Sequence, residues 1–215
     1  MAAGRFITFE GGEGCGKSTQ IRLLAERLRA AGKEVLLTRE PGGTALAEKI
    51  RSLVREESDD PPNSRAETLL FIASRAQVVE NVIRPALASG TWVLCDRFAD
   101  STFAYQGYGR GMDPEELQRL NDYATDGLWP DITFLLDLPA EVGLGRAQAR
   151  NYREGLTQSE GRFEAEALAF HQRIREGFLL RAARWPERFC VLDATRTPDA
   201  IVEQAMEHLS PYLNK

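Results

Sequence analysis

Short apolar runs rich in β-branched residues alternate along the chain with longer stretches in which apolar positions recur every three or four residues. The runs at 5–10 (RFITFE), 34–38 (EVLLT), 91–95 (TWVLC), 131–137 (DITFLLD) and 188–192 (RFCVL) predict five strands. They are almost continuously apolar and do not alternate, the pattern of strands covered on both faces. The longer patterns at 17–31, 45–56, 65–89, 114–125, 140–150, 163–184 and 198–213 predict helices. Gly32, Gly90 and Gly127 stand where helices should stop. Strands separated in this way by helices predict a five-stranded parallel sheet flanked by helices, a three-layer α/β fold in a single domain over 1–215. Two polar stretches, 56–65 and 151–162, break the pattern and predict loops or mobile flaps.

Composition narrows the classes further. In 215 residues, 43% hydrophobic and 27% charged positions exclude a disordered chain. The longest apolar runs are too short to cross a bilayer, and the first residues carry no leader pattern, so a cytoplasmic protein without membrane contact is expected. A net charge of −5 argues against a nucleic-acid partner over the whole surface. Yet 23 of the 27 basic residues are Arg. Arg forks suit phosphate binding, and a GC-rich genome gives the same bias. Cys15, Cys95 and Cys190 lack metal or disulfide spacing, and His171 and His208 have no partner pattern.

Chemistry enters at Gly11-Gly12-Glu13-Gly14-Cys15-Gly16-Lys17-Ser18, a match to G-x-x-x-x-G-K-[ST] that follows the first strand and opens the first helix. Converging backbone N–H groups and the helix N-terminus would cradle phosphates there. Lys17 would neutralise β/γ-phosphate charge, and the Ser18 hydroxyl would ligate Mg²⁺. The fold is therefore expected to be of the P-loop NTPase kind, with ATP bound along residues 11–19, Thr19 included. A guanine-reading N-K-x-D is absent.

At the ends of the second and third strands stand Arg39, in a TREPGGT turn, and the pair Asp96-Arg97. Ligands collect at such strand ends in open α/β sheets. Each Arg alone reads as readily as a surface residue. Two of them beside a P-loop point instead to a second phosphate facing the nucleotide, as transfer to a phosphorylated acceptor requires. Asp96 sits where a second strand would hold the metal.

The segments FEGGEGCGKST, TREPGGT, LLFIASR and DRFADSTFAYQGYGRG together resemble the thymidylate kinase family, in its bacterial form, over nearly the whole chain. The resemblance implies phosphorylation of dTMP to dTDP with ATP and Mg²⁺, in dTTP synthesis, by a homodimer whose face the 65–89 helix could supply. It implies that Phe71 stacks on thymine and Arg75 hydrogen-bonds its carbonyl edge; four apart, they share a helical face. A core aromatic is the plainer reading of Phe71 alone. It further implies that Arg39 and Arg97 grip the dTMP phosphate, that Arg97 reaches the transferred group, and that Asp96 serves the metal or orients the acceptor. Glu13 would lie near the sugar 3′-hydroxyl, and Ser101, Tyr105 and Gln106 would line base and sugar, Tyr105 crowding out a ribose 2′-hydroxyl. Phe98 stands where some relatives carry Tyr.

In the bacterial form the P-loop has no basic residue at the position of Gly14, and a lid supplies the arginine. Arg146, Arg150 and Arg153, spaced four and three apart, would share one face of a helix. Arg153 is the first choice as catalytic finger and Arg150 the second, on a lid within about 150–162; a solvated charged face is the rival reading. Glu164 reads as a surface residue or a water-mediated metal ligand. Rival functions are another nucleotide or deoxynucleoside kinase and, further off, a P-loop regulatory switch.

Overall fold

The computed structural model describes residues 4–56, 58–154, 163 and 166–213. Strands β1 (Phe6–Glu10), β2 (Val35–Arg39), β3 (Trp92–Asp96), β4 (Ile132–Asp137) and β5 (Phe189–Asp193) form one parallel sheet in the order β2-β3-β1-β4-β5. Each begins one residue later than the run that predicted it. At two strands the reason is visible: Arg5 and Asp131 form an ion pair at 3.0 Å, and the Phe6 N–H donates to the Asp131 carboxylate at 2.7 Å. Those polar residues tie off the starts of β1 and β4 instead of extending them.

Around the sheet lie α1 (Lys17–Ala30), α2 (Ala45–Arg55), α3 (Ser64–Val78), α4 (Arg84–Ala88), α5 (Ala99–Thr102), α6 (Pro114–Thr125), α7 (Ala140–Glu154), α8 (Leu168–Arg184) and α9 (Pro198–Leu213). Leu24 and Leu28 of α1 and Leu209 of α9 bury against Phe9 and Phe134 on one side. Phe6, Val93 and Phe98 pack with Val78 and Val79 on another. Each such side chain, fully removed from water, contributes about 1.5–3 kcal/mol. β1 is central, and the chain order reverses around it, which opens a crevice at the carboxyl ends of β1, β3 and β4.

Two helical expectations need correction. The single helix over 65–89 is interrupted by a π-helical turn at Val79–Ile83, just before Pro85 in α4. Proline has no N–H to donate, and the wider turn is where the hydrogen-bond ladder re-registers. The segment after β3, where no helix was predicted, is helical: α5 runs into a π-helical stretch at Phe103–Gly109. Gly107 and Gly109 argue against helix locally, but close packing on α8 overrides propensity, since a Cβ at Gly109 would meet the Phe170 ring at 2.7 Å. From residue 155 to 162, the expected lid lies outside the described residues, as does Glu164.

Candidate active site

Helix starts reveal where the fold leaves room for an anion. Thr44, Asn63 and Asp113 cap α2, α3 and α6 by accepting backbone N–H bonds. α1 begins instead at Gly16, in the left-handed region at φ 95°, with no side-chain cap. Its first-turn N–H groups are the donors that a phosphate takes. The Lys17 ammonium donates to the carbonyls of Gly12 at 2.9 Å and Gly11 at 3.2 Å. Cys15 is buried in the core beneath the loop.

Gly14, at φ 64°, lies against the first turn of α7. A Cβ there would stand 2.0 Å from the Gly143 carbonyl oxygen, and a Cβ on Gly143 would stand 2.3 Å from the Glu13 carbonyl oxygen. Loop and helix touch backbone to backbone. The missing basic residue at 14 thus has a steric cause.

The register that pairs Phe9 with Asp96 and Asp96 with Arg39 sets three strand ends at one level. The Ser18 hydroxyl donates to Asp96 at 3.1 Å, which brings the two expected metal ligands together. Arg97 follows with φ 66°, a conformation that costs a non-glycine residue about 1–2 kcal/mol. Its guanidinium donates to Glu13 at 2.8 Å, to the Gly11 carbonyl at 3.0 Å and to Ser101 at 3.3 Å. Tyr105 donates to the same Glu13 oxygen at 2.7 Å, with its ring 4.9 Å beneath Arg97. Burial alone would raise the Glu13 pKa; Arg97, then Lys17 and the Tyr105 hydroxyl outweigh it and hold it at about 2. Arg39 pairs with Glu48 at 2.9 Å, and Glu48 also takes the Gly43 N–H at 2.9 Å.

Farther from the P-loop the wall becomes aromatic. Phe71 is half-buried, 6.3 Å from the Phe163 ring, which meets Tyr105 edge-on at 5.7 Å. Arg75 is only 2% exposed. Its guanidinium grips Glu40 at 2.6 and 2.7 Å, donates to Thr102 at 2.9 Å and to Asn121, and lies over Phe98. Of five N–H donors, four are spent inside the protein, so Arg75 is a clamped group with one donor left for the cavity it lines. Phe98 is wholly buried against Phe6, where a tyrosine hydroxyl would need a partner. Gln106 donates to the buried Glu67 at 2.9 Å.

Glu13, Lys17, Arg39, Arg75, Arg97 and Tyr105 face one cavity of about 600 Å³, which Arg146, Arg150 and Arg153 of α7 also line. Arg146 donates to the Ala194 carbonyl at 3.2 Å, Arg150 to Asn151 at 3.1 Å, and Arg153 to the Ala149 carbonyl at 3.3 Å. All three reach the cavity from one helix, Arg146 and Arg153 exposed and Arg150 half-buried. Gly11, Gly12 and Cys15 do not line it; the remaining expected residues do. Sequence reasoning missed Glu40, Arg51, Arg55, Thr102 and Phe163 in the wall. Arg51 and Arg55 recur four apart on α2 after the Arg39 turn, a signal that was there to be read. Nine Lys and Arg side chains and three carboxylates line the cavity, so it focuses positive potential in a chain of net charge −5. A polyanion fits it.

Comparison with known proteins agrees. The family model described as thymidylate kinase matches residues 9–205. The chain is 57% identical to the thymidylate kinase of Nitratidesulfovibrio vulgaris strain Miyazaki F, over 97% of both chains. It is 52% identical to that of Desulfovibrio desulfuricans, over 98% of this chain and 97% of the relative. Among solved structures, the thymidylate kinase from Ehrlichia chaffeensis superposes with a TM-score of 0.77 at 35% identity, covering 96% of this chain and 99% of that one.

Proposed function

The chain belongs to the thymidylate kinase family, and from that premise we propose that it transfers the γ-phosphoryl group of ATP to the phosphate of dTMP, giving ADP and dTDP, in dTTP synthesis. The observation that carries this reading is one cavity with two anion-binding ends: the uncapped α1 start with Lys17, and Arg39 with Arg97 at the neighbouring strand ends. Beyond the second end lies a recess walled by Phe71, Arg75 and Tyr105, suited to a base and its sugar.

ATP lies along residues 11–19. An oxygen of the dTMP phosphate attacks the γ-phosphorus, the bond from that phosphorus to the ADP oxygen breaks, and ADP leaves. The attacking oxygen is already a nucleophile, so no strong base is required. Lys17 steadies the β- and γ-phosphates, Arg39 and Arg97 hold the acceptor, and Arg97 reaches the transferred group. Ser18 and Asp96 are hard oxygen donors beside Lys17, and they fit Mg²⁺, which takes one or two protein oxygens together with phosphates. When bound, the ion neutralises charge on the phosphates. Arg153 and Arg150 close over the transferred group as part of a lid reaching 162, and water is excluded. Glu13 and Tyr105 hold the sugar, Tyr105 selecting deoxyribose; Ser101, Gln106, Phe71 and the remaining Arg75 donor hold the base side.

Leu46 and Leu53 of α2 and Leu69 of α3 are each more than half exposed on adjacent helices, an apolar face that suits a second copy of this chain. We assign the protein to the cytoplasm as a homodimer; among the described residues no helix is long and apolar enough to cross a membrane. The test is ADP release by the purified protein with dTMP, dUMP, AMP, CMP or GMP as acceptor. dTMP is expected to give the highest kcat/KM. A better result with AMP, CMP or GMP overturns the assignment.

A further inference from the structure

We propose that Glu10 is a positioning residue for Arg97: its buried carboxylate holds the turn that carries Arg97 into the cavity. The proposal rests on the acceptor-phosphate role given to Arg97 above.

Glu10 ends β1 and is fully buried. Among the described residues, its carboxylate bonds only to one turn. One carboxylate oxygen accepts the Phe98 N–H at 2.8 Å and the Ser101 N–H at 3.2 Å; the other takes the Ser101 hydroxyl at 2.6 Å. That hydroxyl oxygen is the one to which Arg97 donates. The backbone of Arg97 is in the left-handed region, which a side chain adopts only when its surroundings over-determine it. Its N–H bonds the Phe9 carbonyl at 3.0 Å, and its own carbonyl takes the Cys95 thiol at 3.0 Å. Glu10 secures the adjoining residues, 98–101. A buried carboxylate is costly to desolvate, and a purely space-filling role would not call for one. Three converging donors do, because a carboxylate can accept them all. Burial, then Asp100, push its carboxyl up to about 7. The acid form keeps both N–H contacts and reverses the third, its proton pointing to the Ser101 oxygen, so geometry rather than charge does the holding.

Glu10→Ala, Glu10→Asp and Glu10→Gln in the full chain test this through binding, kinetics and crystal structures. Glu10→Ala is expected to raise the dTMP Kd and KM by about tenfold or more, with the ATP Kd changed less than about threefold. Glu10→Gln, which can accept both N–H bonds and donate to Ser101, should return dTMP binding to within about threefold of the parent. Glu10→Asp, short by one methylene, should fall between and serves if the alanine variant does not fold. In crystals, Arg97 should leave the left-handed region in Glu10→Ala and keep it in Glu10→Gln. An unmoved Arg97 overturns the proposal, as do equal losses for ATP and dTMP or failure of rescue by Gln. If the parent protein releases no ADP with dTMP, the proposed function fails, while the crystal structures still decide whether Glu10 holds Arg97.

Discussion

The guanidinium of Arg97 and the carboxylate of Glu13 meet at 2.8 Å, and Tyr105 shares the same carboxylate oxygen. A P-loop residue, a strand-end cation and a helical tyrosine are thereby tied at one point before any ligand is considered. Their bond places the acceptor-phosphate group and the sugar-side group of the proposed site at a fixed spacing. In the proposed site an arriving phosphate would compete with Glu13 for Arg97, making dTMP binding an exchange of partners and not the filling of a vacant charge.

Two carboxyls of this region should act oppositely on stability as pH changes. Glu13, held at about 2 by Arg97 and Lys17 against burial, stabilises the fold above the ordinary carboxyl pKa, and that contribution is lost as pH falls from about 4.5 toward 2. Glu10, raised to about 7 by burial and Asp100, is the reverse. The folded state retains its proton between 4.5 and 7 while the unfolded chain has lost it, so stability falls as pH rises through that window, by on the order of 3 kcal/mol. Urea unfolding at pH 5, 6, 7 and 8 should show the decline, to which Glu40, pushed up to about 7 by burial, adds its own share, and Glu10→Gln should make it shallower. A variant curve parallel to that of the parent would refute the assignment to Glu10.

Arg39→Ala should raise the dTMP KM more than it lowers kcat, because Arg97 still reaches the transferred group. Loss of one charge-assisted contact is worth about 1.5–3 kcal/mol, hence roughly ten- to a hundredfold in KM. Steady-state kinetics with dTMP varied at saturating ATP reads this directly; a kcat loss larger than the KM rise would place Arg39 on the transferred group instead.

The α7 arginines should show the opposite signature. Arginines brought to a transferring phosphoryl group contribute about 10³–10⁵ in rate, so with Arg97 and Lys17 still present Arg153→Ala should lower kcat by at least about 10²-fold. The dTMP KM should barely move. If Arg150→Ala shows the loss and Arg153→Ala does not, the finger is one turn earlier; if neither does, both serve solubility alone and the lid reading falls.

Tyr105 separates ring from hydroxyl cleanly. Tyr105→Phe removes the bond to Glu13 but keeps the ring, so discrimination between dTMP and its ribo-analogue should persist. Tyr105→Ala should narrow the gap in kcat/KM between the two. An unchanged ratio in Tyr105→Ala dismisses exclusion by the ring.

The sheet and the P-loop were legible because both are local: an apolar run declares a strand, and G-x-x-x-x-G-K-S between strand and helix declares a phosphate cradle. What escaped was set by contacts across the chain. Arg75 was expected to offer its guanidinium to a base, yet Glu40, Thr102 and Asn121, distant in sequence, have claimed most of it. Thr102 enters the wall from the end of α5, and Phe163 through its ring contacts with Phe71 and Tyr105. Residues 99–109 gave no helical signal because glycine propensity is local while Phe170 and Tyr108 decide the packing. Glu10, one residue before the most conspicuous motif, gave no signal beyond being a charge at the end of a strand.

The backbone contact between Gly14 and Gly143 also bears on how this chain could change over generations. A cation moved into the P-loop at position 14 would need a side chain where the α7 carbonyl already stands, at a backbone angle that side chains avoid. Making room means lifting the helix that carries Arg146, Arg150 and Arg153 into the cavity. The two ways of delivering positive charge therefore cannot overlap as intermediates in one lineage: gaining the first dislodges the second. A chain that gained the first would give up the second in the same step, so each solution, once adopted, is self-perpetuating. An engineer wishing to transplant the arginine would have to rebuild the start of α7 in the same stroke.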